Sequence, residues 1–308
     1  MVDRSFLLKA TLDRASAFRR DEAWMAERLA DLKTQFVPVW RDRNLLIRGA
    51  EAKAATLGAD AAQHLIEIAS EIALLGIEGD TAYFAADLSH HEPPSLAKIL
   101  GDAEFADIRG SRTLLEDGSG AMLLQARGIM YWHRNNRYCA ACGASTKSAH
   151  AGYARRCTNE SCKREHFPRL DPAIIVLVTR DTPEGEVCLL AHKGEWEDNR
   201  YATVAGFVEP GETLEEAVRR EVMEETGVAV IEAIYQGSQP WPFPASLMLA
   251  FRAVATDPRI EVDNDEVTEA GWFTRDQVVN CEQHGFTVSR GGSISRWLVD
   301  GWLKEGGY

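Results

Sequence analysis

The sequence predicts a mixed α/β (α+β) protein on three observations. Two aliphatic runs, Ile174 to Val178 and Val187 to Ala191, flank a Thr-Pro-Glu-Gly turn, which is the pattern of a hairpin of buried strands. A glutamate-rich stretch with helical periodicity, from about Thr213 to Thr226, sits between strand-like segments at Tyr201 to Val204 and around Ser246 to Val254. Strands and helices alternating in this order suit a layered domain. Just ahead of them, two cysteine pairs fall in a segment too poor in aliphatics to build a core of its own.

At 308 residues the chain is long enough for two or three units with a real core. We expect an N-terminal domain at 1–130, a ribbon at 131–168 and a layered domain at 169–308. A content of 45% hydrophobic and 26% charged residues fits an ordinary globular protein. The longest aliphatic run is far short of the roughly 20 residues of a membrane span, and MVDRSFLLKATLDR lacks a secretory apolar segment. No membrane association and a cytoplasmic location are the resulting expectations. The net charge of −13 excludes a protein whose whole surface grips duplex nucleic acid by counterion release. Six cysteines without an export signal point to metal ligation or burial rather than to disulfides.

In the first 130 residues, Asn44 to Ile47 and Thr81 to Phe84 read as short strands, with no motif of function. From Ser119, the spacing of Met122, Leu123, Ala126, Ile129 and Met130 predicts a packing helix. Cys139 and Cys142 then form a C-x2-C knuckle, and Cys157 with Cys162 supplies a second, wider pair. Four thiolates suit tetrahedral zinc, whose binding energy replaces the missing core and whose closed coordination makes it structural. Cys188 and Cys281 read as small buried hydrophobes. Between Arg134 and Arg169 eight Lys or Arg residues stand against Glu160 and Glu165. Such a patch reads as a solvated face, with phosphate contact as the alternative.

The chemistry concentrates in the segment from Gly206 to Val228. On a helix, Glu221, Glu224 and Glu225 are spaced i,i+3 and i,i+4 and share one face, where three like charges repel by a few tenths of a kcal/mol per pair unless a divalent cation joins them. Hard oxygen ligands at this density favour Mg2+ or Mn2+, which bind substrate phosphates at the same time. Arg220 stands beside the cluster to orient a carboxylate through a bidentate contact. Gly206 and Gly211 permit a sharp loop that brings Glu209 and Glu212 towards the helix start, and Gly227 suits a C-cap.

These residues match the pattern G-x5-E-x7-R-E-U-x-E-E-x-G-U, with U a bulky aliphatic, and the chain therefore resembles the Nudix superfamily. That resemblance implies an α/β/α sandwich over roughly residues 170–308 and hydrolysis of a nucleoside diphosphate linked to another group. A second run, Ser238-Gln239-Pro240-Trp241-Pro242-Phe243-Pro244-Ala245-Ser246, resembles the array that marks the NADH pyrophosphatase branch, in which a four-cysteine zinc ribbon also precedes the catalytic domain. Its prolines are stiff, and Trp241 and Phe243 offer flat apolar faces for a nicotinamide or adenine ring. Phe207 and Phe167 are further stacking candidates.

The resemblance implies catalytic Glu221, Glu224, Glu225 and Arg220. It implies Mg2+ or Mn2+ ligands at Glu221, Glu225, the Ala205 carbonyl and a distal Glu266 in Asp263-Asn264-Asp265-Glu266-Val267, with Glu269 as the fallback. Substrate contacts would come from Gln239, Pro240, Trp241, Pro242, Phe243, Pro244, Ala245, Ser246 and Ser295. The implied reaction splits NADH or NAD into AMP and nicotinamide mononucleotide, and extends to NAD caps on RNA ends, with a homodimer as the family expectation. The alternatives are a Nudix hydrolase for another nucleoside diphosphate such as ADP-ribose, and a non-catalytic ligand-sensing regulator that joins a zinc ribbon to a Nudix-type module.

Overall fold

The computed structural model describes residues 11–47, 52–92, 100, 102–109, 119–196, 199–262, 264–289 and 291–308. The described chain divides into two compact units, one of 11–169 with 242–245 and one of 170–241 with 246–308.

In the N-terminal unit, strands β1 (Gln35–Trp40), β2 (Arg43–Ile47), β3 (Lys53–Ala54), β4 (Ile72–Glu78) and β5 (Thr81–Asp87) form a sheet in the order β3-β2-β1-β5-β4, and β6 (Glu104–Ala106) also pairs with β2. Adjacent residues point to opposite faces, so the sheet builds two cores. Val37, Leu75 and Ala85 meet Leu123, Ala126 and Met130 of the expected helix, here α3 (Ser119–Asn135). Phe36, Leu74 and Phe84 meet Leu65 of α2 (Ala59–Ile68) and Met25 and Leu29 of α1 (Glu22–Ala30). The two strands read from sequence are thus part of a complete layered sheet. The ribbon follows as β7 (Thr146–Ala149), β8 (Ala154–Cys157) and β9 (Glu165–His166), a three-stranded antiparallel sheet.

In the C-terminal unit the two aliphatic runs lie in β10 (Asp171–Arg180) and β11 (Val187–Lys193), joined at Thr182–Gly185 by reciprocal backbone hydrogen bonds. The segment read as one strand at Tyr201 to Val204 is two. β12 (Arg200–Tyr201) ends before an Ala202 bridge to Ala191, and β13 (Val204–Phe207) pairs with the first half of β10. After helix α4 (Leu214–Thr226) come β14 (Val230–Trp241), β15 (Ser246–Ala255) and β16 (Val267–Thr274). The main sheet runs β14-β15-β10-β11-β16. Ile174, Val176 and Val178 face Ala217, Val218 and Val222 of α4. Ile175 and Leu177 on the other side face α6 (Ile294–Glu305), with short α5 (Arg275–Val279) and β17 (Thr287–Val288) closing that core. The unit is therefore an α/β/α sandwich. Each fully buried valine on α4 contributes about 1.5–3 kcal/mol, which fixes the helix against the sheet and aims its remaining residues.

Candidate active site

Helix α4 starts on a complete capping box. The Thr213 hydroxyl accepts from the Glu216 amide and the Glu216 side chain accepts from the Thr213 amide, an arrangement worth about 1 kcal/mol. It ends at Gly227 in the left-handed region, at φ 67°. Between these stops the helix buries Val218, Val222 and Glu225, so a carboxylate lies among apolar side chains. Burial lifts the Glu225 carboxyl to about 7, with Lys193 opposing the rise. Its Oε1 accepts from Lys193 Nζ at 3.1 Å, and its buried Oε2 has no hydrogen-bond partner.

Glu221, one turn earlier, is mostly buried and lies against Gly206 on β13. A Cβ placed on Gly206 would come within 1.9 Å of the Glu221 carboxyl carbon. The glycine was expected to serve a sharp loop. It lies instead in a regular strand, where it makes room for a carboxylate, and the left-handed turn falls on Gly211 alone, at φ 92°. Ala205, its neighbour, pairs with Ile175 and packs on the α6 side.

Arg220 gathers the acids. Its Nε and Nη2 grip Glu212 at 2.7 and 2.9 Å, the expected bidentate contact, and the fork holds the Glu212 carboxyl below its ordinary range. Nη1 donates to Glu221 at 2.8 Å and to Glu224 at 3.1 Å, and Nη2 also donates to the Phe207 carbonyl at 2.8 Å. Glu209 joins through its amide, which donates to Glu212. Glu224 itself is exposed.

Glu266 reaches the site through a residue that sequence reasoning missed. Lys193 Nζ donates to Glu266 Oε2 at 2.8 Å as well as to Glu225. Lys193 continues the face of Leu189 and Ala191 towards α4, and that period of two was the available signal. The fallback, Glu269, is engaged elsewhere. It accepts from the Tyr201 hydroxyl at 2.6 Å, and burial together with this bond raises the tyrosine to about 12. Asp263 lies outside the described residues. Among the described residues, three or more metal-ligand atoms lie within 4.8 Å of one another only in the cysteine set, and the carboxylates are joined through Arg220 and Lys193 instead.

The Ser238–Ser246 array splits. Ser238 to Trp241 belong to β14 and Ser246 opens β15, so about half of the array is strand. Pro240 keeps its place opposite Leu247 because β14 lies at the sheet edge, where a missing N–H is tolerated. Gln239 is buried. Its Nε2 donates to the Gly292 carbonyl and its Oε1 accepts from the Ile294 amide at the start of α6, so both ends of the amide are engaged within the protein. Ser295 is also buried, accepting from the Thr203 hydroxyl at 2.9 Å. Pro242, Phe243, Pro244 and Ala245 belong to the other unit, where the Pro242 carbonyl accepts from Arg127 Nε and the Phe243 ring carries the Arg127 guanidinium 4.5 Å from its centroid. Of the stacking candidates, Phe207 and Phe167 stand open, at 60% and 49% exposure.

In the ribbon, Cys139, Cys142, Cys157 and Cys162 present sulfurs within 4.8 Å of one another. The Cys139–Cys162 and Cys142–Cys157 pairs are 3.8 and 3.5 Å apart, close to the roughly 3.8 Å edge of a tetrahedron with Zn–S bonds of about 2.3 Å. The donor set fits zinc. The wider second knuckle is taken up by Asn159, whose carbonyl accepts from the Cys162 amide and whose side chain accepts from the Ser161 amide. Cys188 is buried, and burial pushes its thiol well up, as expected of a structural cysteine. Much of the basic patch is neutralised within its unit, where Arg134 pairs with Asp42 and Asp87, Arg155 with Glu71, Arg156 with Glu165 and Lys163 with Glu160.

A sandwich carrying its glutamates on the helix between β13 and β14 defines a Nudix domain, and comparison with known families agrees. Residues 169–298 match the NUDIX domain, 134–167 the NADH pyrophosphatase zinc ribbon domain and 33–132 the NADH pyrophosphatase-like rudimentary NUDIX domain. The chain belongs to the Nudix superfamily. These three domains in this order place it in the NADH pyrophosphatase branch.

Among its relatives, the NAD-capped RNA hydrolase NudC of Mycobacterium bovis is 43% identical over 210 residues, which is 65% of this chain and 66% of that one. The human NAD-capped RNA hydrolase NUDT12 is 38% identical over 200 residues, 62% of this chain and 43% of that one. Nudix hydrolase 19, chloroplastic, of Arabidopsis thaliana is 36% identical over 218 residues, 66% and 48% respectively. The chain thus spans under half the length of the human and plant relatives it matches. No helix among the described residues is long and apolar enough to cross a membrane.

Proposed function

We propose that this chain is a metal-dependent pyrophosphohydrolase that cleaves the diphosphate of NADH or NAD into AMP and nicotinamide mononucleotide, and that also removes NAD from capped RNA ends. The observation that carries the reading is the seating of Glu221 against Gly206 while Glu225, one turn on, is buried with one oxygen unpartnered. A buried, unpaired carboxylate oxygen costs about 1–3 kcal/mol or more. A site that retains one suits a ligand yet to arrive. The relatives' names supply the substrate class.

The residues present fit a hard divalent ion, because the donors are all oxygen. Glu221, Glu225, Glu266 and the Ala205 carbonyl would hold Mg2+ or Mn2+, which supplies charge neutralisation on the diphosphate and an acidified water. The chain's own part is placement. Arg220 locks Glu221 and Glu224 by charge-assisted bonds, and the sheet under α4 keeps Glu225 dry. Water attacks one phosphorus, the bridging P–O bond breaks, and the water's proton passes to a carboxylate of the set Glu221, Glu224 and Glu225. Phe207 and Phe167, the open rings, are assigned to base stacking. The Gln239 to Ser246 array and Ser295 act on substrate by shaping backbone, since Gln239 and Ser295 spend their polar atoms internally.

A homodimer is part of this reading. It is supported by edge strand β14, which presents Ile231, Ile234 and Tyr235 half-exposed or more, the kind of edge that pairs with another chain. A cytoplasmic location is supported by the four thiols of the ribbon, which need a reducing compartment.

The test is product analysis after incubation with NADH and Mg2+ or Mn2+, in parallel with ADP-ribose. AMP and nicotinamide mononucleotide should accumulate, stop with EDTA, and be absent for a folded Glu225→Gln variant. Turnover by that variant would refute the assignment, and a preference for ADP-ribose would move the substrate elsewhere in the superfamily.

A further inference from the structure

We propose that Lys193 is a resident cation, which holds Glu225 and Glu266 together in the metal-free protein and gives way when a divalent ion binds. This rests on the reading of Glu221, Glu225 and Glu266 as metal ligands and adds a residue to it.

The placement is built by the strand. Leu189 and Ala191 of β11 pack beneath α4, and Lys193 is the next residue on that face, where the apolar core ends and the carboxylates begin. The β11–β16 ladder slips between His192, which pairs with Glu269, and Lys193, which pairs with Val267. Gly194 then lets the backbone run close to Thr268, whose methyl would be 2.7 Å from an added Cβ. The outcome is one ammonium at 3.1 Å from Glu225 and 2.8 Å from Glu266, on residues 32 and 73 positions away. Glu225 is 3% exposed, so this ammonium is the counter-charge that a buried carboxylate requires.

A divalent ion held by the same oxygens would bring two charges where the ammonium brings one, and the two would not share the position. The side-chain types suit opposite duties. Lysine is a compact charge on a flexible stem and can swing out, whereas Arg220 is tied by five hydrogen bonds to three carboxylates and a carbonyl and stays. Lys193 thereby lowers metal affinity while protecting the empty site from its own repulsion.

The experiment titrates the full-length protein with Mn2+ by calorimetry and melts it with and without EDTA. Lys193→Met should bind Mn2+ about tenfold more tightly, as removal of one charge-assisted competitor implies. Its melting temperature should fall in EDTA and recover in saturating Mn2+. Unchanged or weaker binding overturns the proposal. Wild-type Lys193 gives an independent readout should the variant not fold in EDTA: its acetylation by acetic anhydride, read by mass spectrometry, should rise severalfold with Mn2+ relative to the other lysines, and unchanged or reduced labelling overturns the proposal. Glu225→Gln separates the two readings. If it binds Mn2+ as the wild type does, the metal site itself fails, whatever Lys193 does.

Discussion

Gly206 and Glu221 touch across the gap between strand β13 and helix α4, and no side chain larger than hydrogen fits between them. Gly206→Ala would push the carboxylate aside. Because the displaced group is the end of a rotatable side chain, stability should fall by no more than about 1–2 kcal/mol. A ligand moved by an ångström is a different matter for turnover, which should drop about a hundredfold or more. NADH hydrolysis and urea unfolding on the same preparation check both halves, and a variant of normal activity would mean that Glu221 does its work from another position.

Arg220 is a fork, and Glu212 takes both of its tines. Arg220→Lys keeps the charge and loses the geometry, so Glu221 and Glu224 lose a fixed partner. Activity or metal affinity should fall about 10–100-fold, the usual cost of a lost ligand-orienting contact, while the far-ultraviolet spectrum stays unchanged. Steady-state kinetics across Mg2+ concentration would separate the two losses. A lysine variant with unchanged kinetics would show that charge alone suffices.

The parts of this site legible from sequence are those written in consecutive residues. The period of 3.6 puts Glu221, Glu224 and Glu225 on one face, and Gly227 marks where α4 stops. The two cysteine pairs are short-range in the same way. For Lys193 the period of two gives only the face it lies on; its partners lie 32 and 73 residues off, and only the sheet brings them together. Gln239 misled for the converse reason. A polar side chain in a proline-aromatic run looks available, yet its amide caps the start of α6, 55 residues later. The N-terminal sheet was half visible: β2 and β5 were read, while their hairpin partners β1 and β4, joined to them through Arg41–Asp42 and Gly79–Asp80, were not. The solvated-face reading of the basic patch holds for Arg137, Lys147, Arg156, Lys163, Arg164 and Arg169, which are exposed, and fails for buried Arg155, whose partner Glu71 lies far upstream.

His133 sets a pH dependence of folding. It is buried, donates from Nε2 to the Gly152 carbonyl at 2.8 Å, and accepts at Nδ1 from Arg155. A second proton would face a guanidinium, and burial, with that charge adding to it, holds His133 below the ordinary histidine value despite Glu71. A histidine depressed in the folded state is protonated more readily when unfolded. Stability is therefore full above about 6.5 and is lost as pH falls from there through the folded-state value. Melting temperatures of wild type and His133→Asn, compared between pH 8 and pH 5, should converge on acidification. A constant difference would remove His133 from the account.

The ribbon makes the last prediction. Residues 136–168 bury few apolar side chains, Cys139, Cys157 and Ala154 among them, so the short strands β7, β8 and β9 are held at the knuckles rather than by a core. With sulfur pairs at 3.8 and 3.5 Å already near tetrahedral edges, the four thiols should retain one zinc per chain through purification, and a mercurial titrant should release it in proportion to the thiols consumed. Cys142→Ser leaves three thiolates and should weaken zinc binding strongly, because metal affinity and local folding are one free energy here. Hydrogen exchange should then rise across Thr146 to Cys157 while the sheet of β10, β11 and β15, with its own two cores, keeps its protection. Protection of the ribbon retained in Cys142→Ser without zinc would show that β7, β8 and β9 fold without the metal.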